Sequence, residues 1–573
     1  MTMKVVAAID LGTSNSCCGY VLETFNPPYE PICCCPGIVS DVYEKTPTAL
    51  LVRRGTLEAV SFGADAITAW QNDNNSGEPP EFHIFRRFKM ALYTAEPGAD
   101  TVVQAEDGYS MEVGSVIRKS LKLFKESLIA KVNRENANYI TDADAQIRWY
   151  VTVPAIWPET ARAKMQTWAH EAGLLRAELT LEPEAAAISN LKRSSVEDQI
   201  RRNDLRKFML VDVGGGTVDI SGIQIQKMDP LQVSNLYARR GAAYGGEQVD
   251  AKFRQMLTEV IKHAGFSRMT QQVAYELSAV MDHFAACKAR YGNQRVDLNR
   301  LLDALYDERY KSTQYDREAE IRSGLSNYNR SHSTNLLFRS NFLHFNDNEM
   351  QHFFQDTVDG VCSAIRAALD EHDVSMIVVT GGLSRSRFLA AAVKEQFEPV
   401  TSRNRRMRGI IESGQPSIDI ARGSVIFGID KILGNETIQS RILSRGYGVM
   451  CIDGYRPLVK MSDSVGVGET RDSYGQPATP EQTSCLIPFY THGADPYNRD
   501  EQRQIGNLEL AIRPGIDTAV GYRIYFGDTT LRMEAMGNGS NNRTDKNPKT
   551  QPVISLRSMC HEIKYLEYII YRT

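Results

Sequence analysis

The sequence predicts a mixed α/β protein built from two related halves and followed by a C-terminal part rich in β-strands. Three observations support this fold class. A glycine-turn motif occurs twice, buried-type strands alternate with helical segments between and after its two copies, and the tail after residue 440 alternates apolar and polar residues. Because 573 residues exceed what one hydrophobic core accommodates, we expect several domains.

The composition, with 42% hydrophobic and 24% charged residues, is typical of a globular protein. The net charge of −4 argues against a broad polyanion-binding surface, so nucleic acid is not an expected partner. The basic cluster at 402–409 fits a solvated loop better than a phosphate contact. No apolar run reaches the ~18 residues of a membrane span, no targeting segment precedes the first strand, and the ten cysteines show no zinc-ligand spacing. We therefore expect a cytoplasmic protein with reduced thiols and no membrane contact.

The duplicated motif is AAIDLGTSNS at residues 7–16 and MLVDVGGGTVD at residues 209–219. Each copy reads as an apolar strand, an aspartate, a glycine turn with a small hydroxyl residue, and a second strand, which together predict a β-hairpin. Successive glycine N–H groups form a concave anion site, a hydroxyl adds a donor, and an aspartate at the strand end suits a hydrated Mg²⁺. One such turn alone fits an ordinary hairpin, whereas two facing turns can hold the β- and γ-phosphates of a nucleotide from opposite sides.

Further segments place candidate functional residues at the ends of predicted strands. The strand in WYVTVPAIWPE (149–159) leads into a helix from Glu159 to Ala172, and the strand in LTLEPEAAAI (179–188) ends at Glu182. The turn in GAAYGGEQVD (241–250) opens a helix, and MIVVTGGLSRSR (376–387) repeats the pattern of strand, Gly-Gly turn and helix start. A Gly-Gly turn lets a base or ribose lie against bare backbone, and an arginine that follows it can stack on the base.

In this order the motifs resemble those of the actin-like ATPase domain of the heat shock protein 70 family, from residue 5 to about residue 435. The divergent details are most similar to the 12A/12B-type branch and its fungal relatives. The resemblance implies a two-lobed actin-like ATPase with a duplicated ribonuclease H-like fold, whose lobes are residues 1–205 and 206–440. Residues 441–573 would form a small β-rich C-terminal domain.

The resemblance also implies a role for each matching residue. Asp10 and Asp212 would hold Mg²⁺ through water, and the catalytic residues would be Lys89, Glu182, Asp212 and Thr217. Lys89 would position the γ-phosphoryl group, with Arg86 or Arg87 as the alternative; Glu182 would orient water, and Thr217 would contact the γ-phosphate. The residues that would bind ATP or ADP are Asp10, Gly12, Thr13, Ser14, Asn15, Gly214, Gly215, Gly216 and Thr217 around the phosphates, and Gly245, Gly246, Glu247, Lys288, Gly381, Gly382 and Arg385 around the nucleoside.

The chain departs from the family at several positions. In the helix that would clamp adenine, Lys288 matches the family's lysine, but Ala285 stands where the family has a glutamate. Residues 296–346 are longer and more polar than expected, which predicts a subdomain elaboration with flexible parts, or else a partner surface. Pro154 and Arg162 match the spacing of a pair that relays nucleotide state, although an exposed helix arginine fits the sequence equally well.

The tail after residue 440 lacks the family's Leu-rich acidic linker and is too short for a peptide-binding domain with its helical lid. Segments starting at Gly446, Ala519 and Thr529 alternate like strands. Residues 457–498 are rich in turn formers and are expected to be loops, and 560–570 fits either a helix or a strand. The function of the tail is not readable from its residues.

The leading hypothesis is an ATP-binding, slowly ATP-hydrolysing switch protein with a chaperone-related role and with protein clients or co-chaperones as partners. The alternative is an ATP-sensing scaffold that hydrolyses little and acts through its C-terminal domain. A sugar kinase or a filament former would use the same fold, but no sugar-site motif is present.

Overall fold

Two large sheets organise the molecule, and smaller sheets and helices surround them. The computed structural model describes residues 3–22, 31–34, 45–74, 79–94, 101–137, 139–237, 240–261, 270–288, 290, 292–306, 317–403, 409–443, 445–451, 454–466, 469–475, 484–500, 502–511, 517–525, 532–539 and 554–555. The fold is mixed α/β, as the sequence predicts.

The first large sheet has six strands in the order β11-β10-β1-β2-β3, with β4 paired to β2. Its strands are β1 Val5–Asp10, β2 Asn15–Leu22, β3 Ile32–Cys34, β4 Thr46–Pro47, β10 Ile147–Val153 and β11 Glu178–Leu181. Strands β1 and β2 form an antiparallel hairpin, whereas β1, β10 and β11 run parallel. The apolar run Val5–Ile9 is fully buried in the middle of this sheet.

The second large sheet has eight strands in the order β20-β19-β12-β13-β14-β21-β24, with β15 paired to β13. Its strands are β12 Lys207–Val213, β13 Val218–Met228, β14 Leu231–Asn235, β15 Arg240–Ala242, β19 Met376–Thr380, β20 Ile410–Glu412, β21 Ile438–Ile442 and β24 Ser464–Gly466. It repeats the pairing of the first sheet: β12 and β13 form an antiparallel hairpin, and β12, β19 and β20 run parallel. The two glycine-turn motifs therefore occupy corresponding hairpins, as their sequence similarity predicts.

Small sheets lie around these two. They consist of β5 Ala49–Arg53, β6 Ala59–Phe62 and β7 Phe82–Arg86; of β8 Val102–Gln104 and β9 Ser110–Glu112; and of β16 Gln294–Asp297, β17 Leu337–Arg339 and β18 Phe342–Phe345. The last of these falls in the segment 296–346, whose described part also holds two helices.

Helices cover the sheets. They are α1 Ala64–Asn74, α2 Ala91–Thr94, α3 Val113–Glu135, α4 Ala143–Gln146, α5 Glu159–Glu171, α6 Glu182–Leu191, α7 Ser194–Asn203, α8 Gly246–Ile261, α9 Gln271–Cys287, α10 Asn299–Leu305, α11 Arg317–His332, α12 Asp347–Glu371, α13 Arg387–Arg403 and α14 Asp419–Ile432, with 3₁₀ turns at Phe88–Met90 and Gly382–Arg385. Among the helices that the structure describes, none combines the length and the apolar character needed to cross a bilayer.

Local signals set several of these boundaries. Helix α5 starts after Pro158 and ends just before Gly173, whose φ of +83° is a left-handed conformation that favours glycine. Helices α6 and α14 pack closely, because a Cβ on Gly423 would lie 1.7 Å from the Ala185 carbonyl oxygen. Only a glycine allows the two helices to approach this closely.

The tail forms two four-stranded sheets, ordered β23-β22-β26-β27 and β25-β28-β29-β30. Their strands are β22 Gly446–Cys451, β23 Gly454–Val459, β25 Thr470–Gly475, β26 Ser484–His492, β27 Arg503–Ala511, β28 Asp517–Tyr525, β29 Arg532–Gly539 and β30 Ile554–Ser555. The expected strands near 446, 519 and 529 are present. The expectation of loops over 457–498 is wrong, because β24, β25, β26 and the end of β23 lie there. The segment 560–570 and most of the basic cluster 402–409 lie outside the described residues.

Two partly buried contacts join the chain beyond residue 440 to the first part of the molecule. Arg441 donates two hydrogen bonds of 2.8 Å to the carboxylate of Glu184, which is 2% exposed. The hydroxyl of Tyr447 donates a 2.6 Å hydrogen bond to Glu159. The domain boundary expected after residue 440 thus lies inside β21, a strand of the second large sheet.

Candidate functional site

A cavity of about 1020 Å³ lies between the two glycine turns and collects most of the residues that the sequence singles out. Its lining includes Asp10, Gly12, Thr13, Ser14, Asn15, Lys89, Glu182, Asp212, Gly214, Gly215, Gly216, Thr217, Gly246, Lys288, Gly381, Gly382 and Arg385. Two expected residues are not in the lining, Gly245 and Glu247. They lie directly behind it, since the Glu247 amide donates to the Gly215 carbonyl at 2.8 Å.

The two turns approach each other at van der Waals distance. A Cβ on Gly215 would lie 2.2 Å from the Ser14 hydroxyl oxygen, so a side chain there would collide with the opposite turn. Behind it, a Cβ on Gly245 would lie 2.4 Å from the Gly215 carbonyl oxygen. Glycine is therefore required at both positions for three backbone segments to meet at one point. Backbone N–H groups exposed this way can bind anions.

Asp10 is the last residue of β1, and Asp212 is the next-to-last residue of β12, so each lies at the strand end that precedes its glycine turn. The Asp10 carboxylate accepts from the Thr152 hydroxyl at 3.0 Å and from the Lys45 ammonium at 2.7 Å. Burial alone would raise the pKa of Asp10, but the ammonium groups of Lys45 and Lys89 outweigh burial and hold that pKa below its usual range.

The second aspartate, Asp212, is in a different electrostatic state. Its Oδ1 is buried and has no hydrogen-bond partner among the residues that the structure describes. Burial and the neighbouring carboxylates of Glu182, Asp219 and Asp10 raise the pKa of Asp212 well above its ordinary value. A buried carboxyl oxygen in such surroundings requires a cation or a proton.

Lys89 is the basic side chain that reaches these carboxylates from the Arg86–Met90 segment. Its ammonium lies 2.5 Å from Glu182 Oε1 and 5.6 Å from the centre of the buried Trp157 ring. Burial raises the pKa of Glu182, and Lys89 opposes that shift. The two arginines point elsewhere: Arg86 pairs with Asp282, and Arg87 lies 3.9 Å from Glu247. The geometry thus favours Lys89 over its neighbours for the position next to the carboxylates.

Thr217 contacts Asp219, an aspartate of the second motif to which the sequence assigns no role. The Thr217 hydroxyl donates to Asp219 Oδ2 at 3.0 Å. Burial, together with the charge of Glu182, raises the pKa of Asp219 to about 7. Four buried carboxyl groups, those of Asp10, Glu182, Asp212 and Asp219, therefore face two lysines.

This donor set fits a hydrated Mg²⁺. Over the described part of the chain, no three His, Cys, Asp or Glu side chains converge as direct metal ligands. Magnesium keeps several waters and commonly takes one or two carboxylates together with phosphate oxygens. Asp212, with its unsatisfied buried oxygen, and Asp10 on the facing hairpin would hold it in this way.

The other end of the cavity contains the residues expected to contact a nucleoside. Lys288 reaches Asp250 Oδ1 at 2.6 Å and donates to the Gly246 carbonyl at 3.1 Å, so its charge is already partly satisfied. Ala285 lines the cavity at the position where a carboxylate is expected by resemblance. Arg385 is exposed at the cavity rim.

Pro154 also lines the cavity, whereas Arg162 does not. Arg162 is buried, not exposed, and donates to the Trp157 and Ala155 carbonyls at 3.1 and 3.2 Å. The interpretation of Arg162 as an exposed helix residue is therefore wrong. Its partner Glu159, 3.9 Å away, is also the residue that Tyr447 of the tail contacts.

Sequence reasoning missed Lys45, Thr152 and the Arg86–Asp282 pair. Lys45 lies 35 residues after Asp10, and Arg86 lies 196 residues before Asp282. No local pattern indicates such pairs. Asp219 was visible inside the second motif, and its position two residues after Thr217 was the available signal.

The mixed α/β fold and this cavity are consistent with an actin-like ATPase. Comparisons with known proteins agree: the family described as Hsp70 protein matches residues 125–406. Human heat shock 70 kDa protein 12B is 26% identical over 94% of this chain and 90% of its own length. The 12A proteins of mouse and human are each 24% identical, over 93% of this chain and over 90% and 89% of their own lengths.

The chain is thus a divergent heat shock protein 70-like protein, which confirms the resemblance seen in the sequence. The same matches support ATP binding.

Proposed function

We propose that this protein is a slow, magnesium-dependent ATPase whose nucleotide state governs its C-terminal domain. The observation that carries the proposal is the convergence of both glycine turns, Lys45, Lys89 and the carboxyl groups of Asp10, Glu182 and Asp212 on one cavity. Lobe I would be residues 1–205 and lobe II residues 206–440, with the C-terminal domain at 441–573. Strand β21 would then connect lobe II to that domain.

In the proposed reaction a water molecule attacks the γ-phosphorus of ATP, the bond to the bridging β–γ oxygen breaks, and ADP and inorganic phosphate leave. The backbone N–H groups of Gly214–Gly216 and the Thr13 hydroxyl would bind the phosphates from opposite sides. Lys89, fixed by Glu182, would supply positive charge as the γ-phosphoryl group transfers. Glu182 would orient the water, and the Thr217 hydroxyl would contact the γ-phosphate. Mg²⁺, when bound, would neutralise negative charge on the phosphate oxygens.

A direct test is single-turnover hydrolysis of Mg-ATP by the wild type, by Asp212→Asn and by Lys89→Ala. We expect measurable hydrolysis by the wild type and a loss of about 100-fold or more in either variant. If all three proteins bound ATP tightly and hydrolysed it at the same rate, the ATPase activity would be rejected, and ATP binding would remain supported. Thermal unfolding gives an independent measure of binding, since a ligand at about 100 times its Kd adds about 2.7 kcal/mol of stability.

The alternative is an ATP-sensing scaffold with little hydrolysis. It is favoured by Ala285, which supplies no carboxylate to a nucleoside, and by the Tyr447–Glu159 contact, which joins the tail to the segment behind Trp157. One measurement separates the two functions: an ATPase should hydrolyse ATP faster than its Lys89→Ala variant, whereas a scaffold should not. A chaperone-related role with protein clients, and a cytoplasmic location, stay predictions for this chain.

A further inference from the structure

Lys45 occupies a defined place beside the first glycine turn. It immediately precedes the short strand β4, in which Pro47 pairs with Asn15 and Thr46 pairs with Ser16. The neighbouring Thr48 donates through its hydroxyl to the Gly12 carbonyl at 2.8 Å and through its amide to the Ser14 carbonyl at 2.9 Å. These bonds fix the backbone next to Lys45 against the turn that faces the cavity.

The Lys45 ammonium lies inside the phosphate end of the cavity. It contacts Asp10 Oδ2 at 2.7 Å, and the two side chains are 17% and 2% exposed. Because a lysine side chain is ordinarily protonated near pH 7, this contact places a positive charge against the Asp10 carboxylate.

The charges around the site show what this ammonium does. Lys89 pairs with Glu182 at 2.5 Å and acts on Asp10 only through space, whereas Lys45 contacts Asp10 directly at 2.7 Å. Without Lys45, Asp10 would present a buried carboxylate with no cation in contact to an incoming polyphosphate. Two like charges in a partly desolvated cleft repel each other strongly.

We propose that Lys45 is a built-in cation of the phosphate site, which neutralises Asp10 and contacts the nucleotide phosphates, so that nucleotide binding depends only weakly on Mg²⁺. This inference rests on the proposed nucleotide function. It assigns to Lys45 a binding role distinct from the hydrolytic role of Lys89. Mg²⁺ would still serve hydrolysis, held mainly by Asp212 because Lys45 already pairs with Asp10.

The test is calorimetric titration of the full chain with ADP, once with excess Mg²⁺ and once with EDTA, for the wild type and Lys45→Met. We expect the Kd of the wild type to change by about threefold or less on removing Mg²⁺. The Kd of Lys45→Met should rise by about tenfold or more under the same change, because an unpaired Asp10 then faces the phosphates, and tenfold corresponds to about 1.4 kcal/mol. The double variant Lys45→Met with Asp10→Asn removes both charges. Its Kd for ADP should change on removing Mg²⁺ by the same factor as the Kd of the wild type.

Lys192→Met is the matched control, because Lys192 also pairs with a buried aspartate, Asp430, at 2.7 Å, and neither residue lines the cavity. This variant should lower the unfolding temperature without altering the Mg²⁺ dependence of ADP binding. Equal Mg²⁺ dependence in the wild type and Lys45→Met would overturn the role of Lys45 alone. If removing Mg²⁺ raised the Kd of the wild type for ADP by more than about tenfold, the role of Lys45 would be overturned even if Lys45→Met did not fold. Failure of the wild type to bind ADP in either condition would reject both this role and the proposed nucleotide function.

Discussion

The ammonium of Lys89 lies 2.5 Å from Glu182 Oε1, and both side chains are almost wholly buried beside Trp157. The contact joins a 3₁₀ turn that follows β7 to the first residue of helix α6, which are 93 residues apart in sequence. Because a buried ion pair contributes little net stability when it is made but is costly to break, we interpret it as a means of placing charge in the cleft.

The first prediction concerns this ion pair. Lys89→Met should reduce single-turnover ATP hydrolysis by about 100-fold or more, because the positive charge next to the transferring group is lost. ATP binding, followed by thermal unfolding, should fall much less. Lys431→Met is a suitable control, since Lys431 pairs with Glu178 on the surface and lines no part of the cavity. Hydrolysis by Lys89→Met within twofold of the wild type would contradict the assignment.

The second prediction concerns pH. Burial raises the pKa of Glu247 to about 7 from an ordinary value of 4.5, with a further contribution from Asp250 that the charge of Arg87 opposes. A carboxyl group with a raised folded-state pKa favours folding at low pH, and that contribution is lost as pH rises from about 4.5 to about 7. The urea midpoint of Glu247→Gln should therefore exceed that of the wild type at pH 8, and the difference should shrink towards pH 5. The exposed Glu126→Gln is the control for the substitution itself. A difference that stays constant across this range would be evidence against the raised pKa.

The third prediction concerns the meeting point of the glycine segments. Gly245→Ala would place a Cβ 2.4 Å from the Gly215 carbonyl, and backbone on both sides would have to move. We expect the nucleotide-dependent rise in unfolding temperature to disappear. Gly382→Ala is the steric comparison for the ligand-free fold, because nothing lies within 4 Å of its added Cβ, so its ligand-free unfolding temperature should equal that of the wild type. An undiminished nucleotide shift in Gly245→Ala would show that the turns tolerate separation.

The fourth prediction concerns the attachment of the tail. Tyr447→Phe removes the 2.6 Å hydrogen bond to Glu159 and leaves a carboxylate with one weaker contact, to Arg162 at 3.9 Å. A hydrogen bond to a charged group contributes about 1.5–3 kcal/mol, so we expect a loss of that size in the unfolding free energy and faster amide exchange in β22. Tyr490→Phe, in the adjacent strand, loses only a 3.4 Å contact to Gln504 and serves as the control. Equal exchange rates in the two variants would argue that Tyr447 does not hold the tail.

Local sequence signals predicted much of the fold around the site. The two glycine hairpins, helix α5 with its Pro158 start and Gly173 end, and the placement of Glu182 at a strand-to-helix junction are each encoded within about ten residues. Such junctions place side chains at the ends of parallel strands, where the cavity lies. Most residues that line the cavity could therefore be predicted from these local motifs.

The remaining features depend on contacts that no short segment encodes. The turn-rich composition of 457–498 concealed β25, which pairs with β28, and β26, which pairs with β22 and β27. Strand formation there is determined by those partners and not by local propensity. Lys45 escaped notice for the same reason, because its partner Asp10 lies on another strand of the sheet.

The parallel pairing of β14 with β21 has a consequence for synthesis on the ribosome. Leu231–Asn235 leaves the exit tunnel roughly 200 residues ahead of Ile438–Ile442, and translation at about 5–20 residues per second separates the two by about 10 to 40 s. Over that interval the N–H and C=O groups of β14 on its β21 side lack their strand partner, and an open strand edge can template aggregation. The β21 side of β14 therefore stays unpaired until the chain beyond residue 438 has been made.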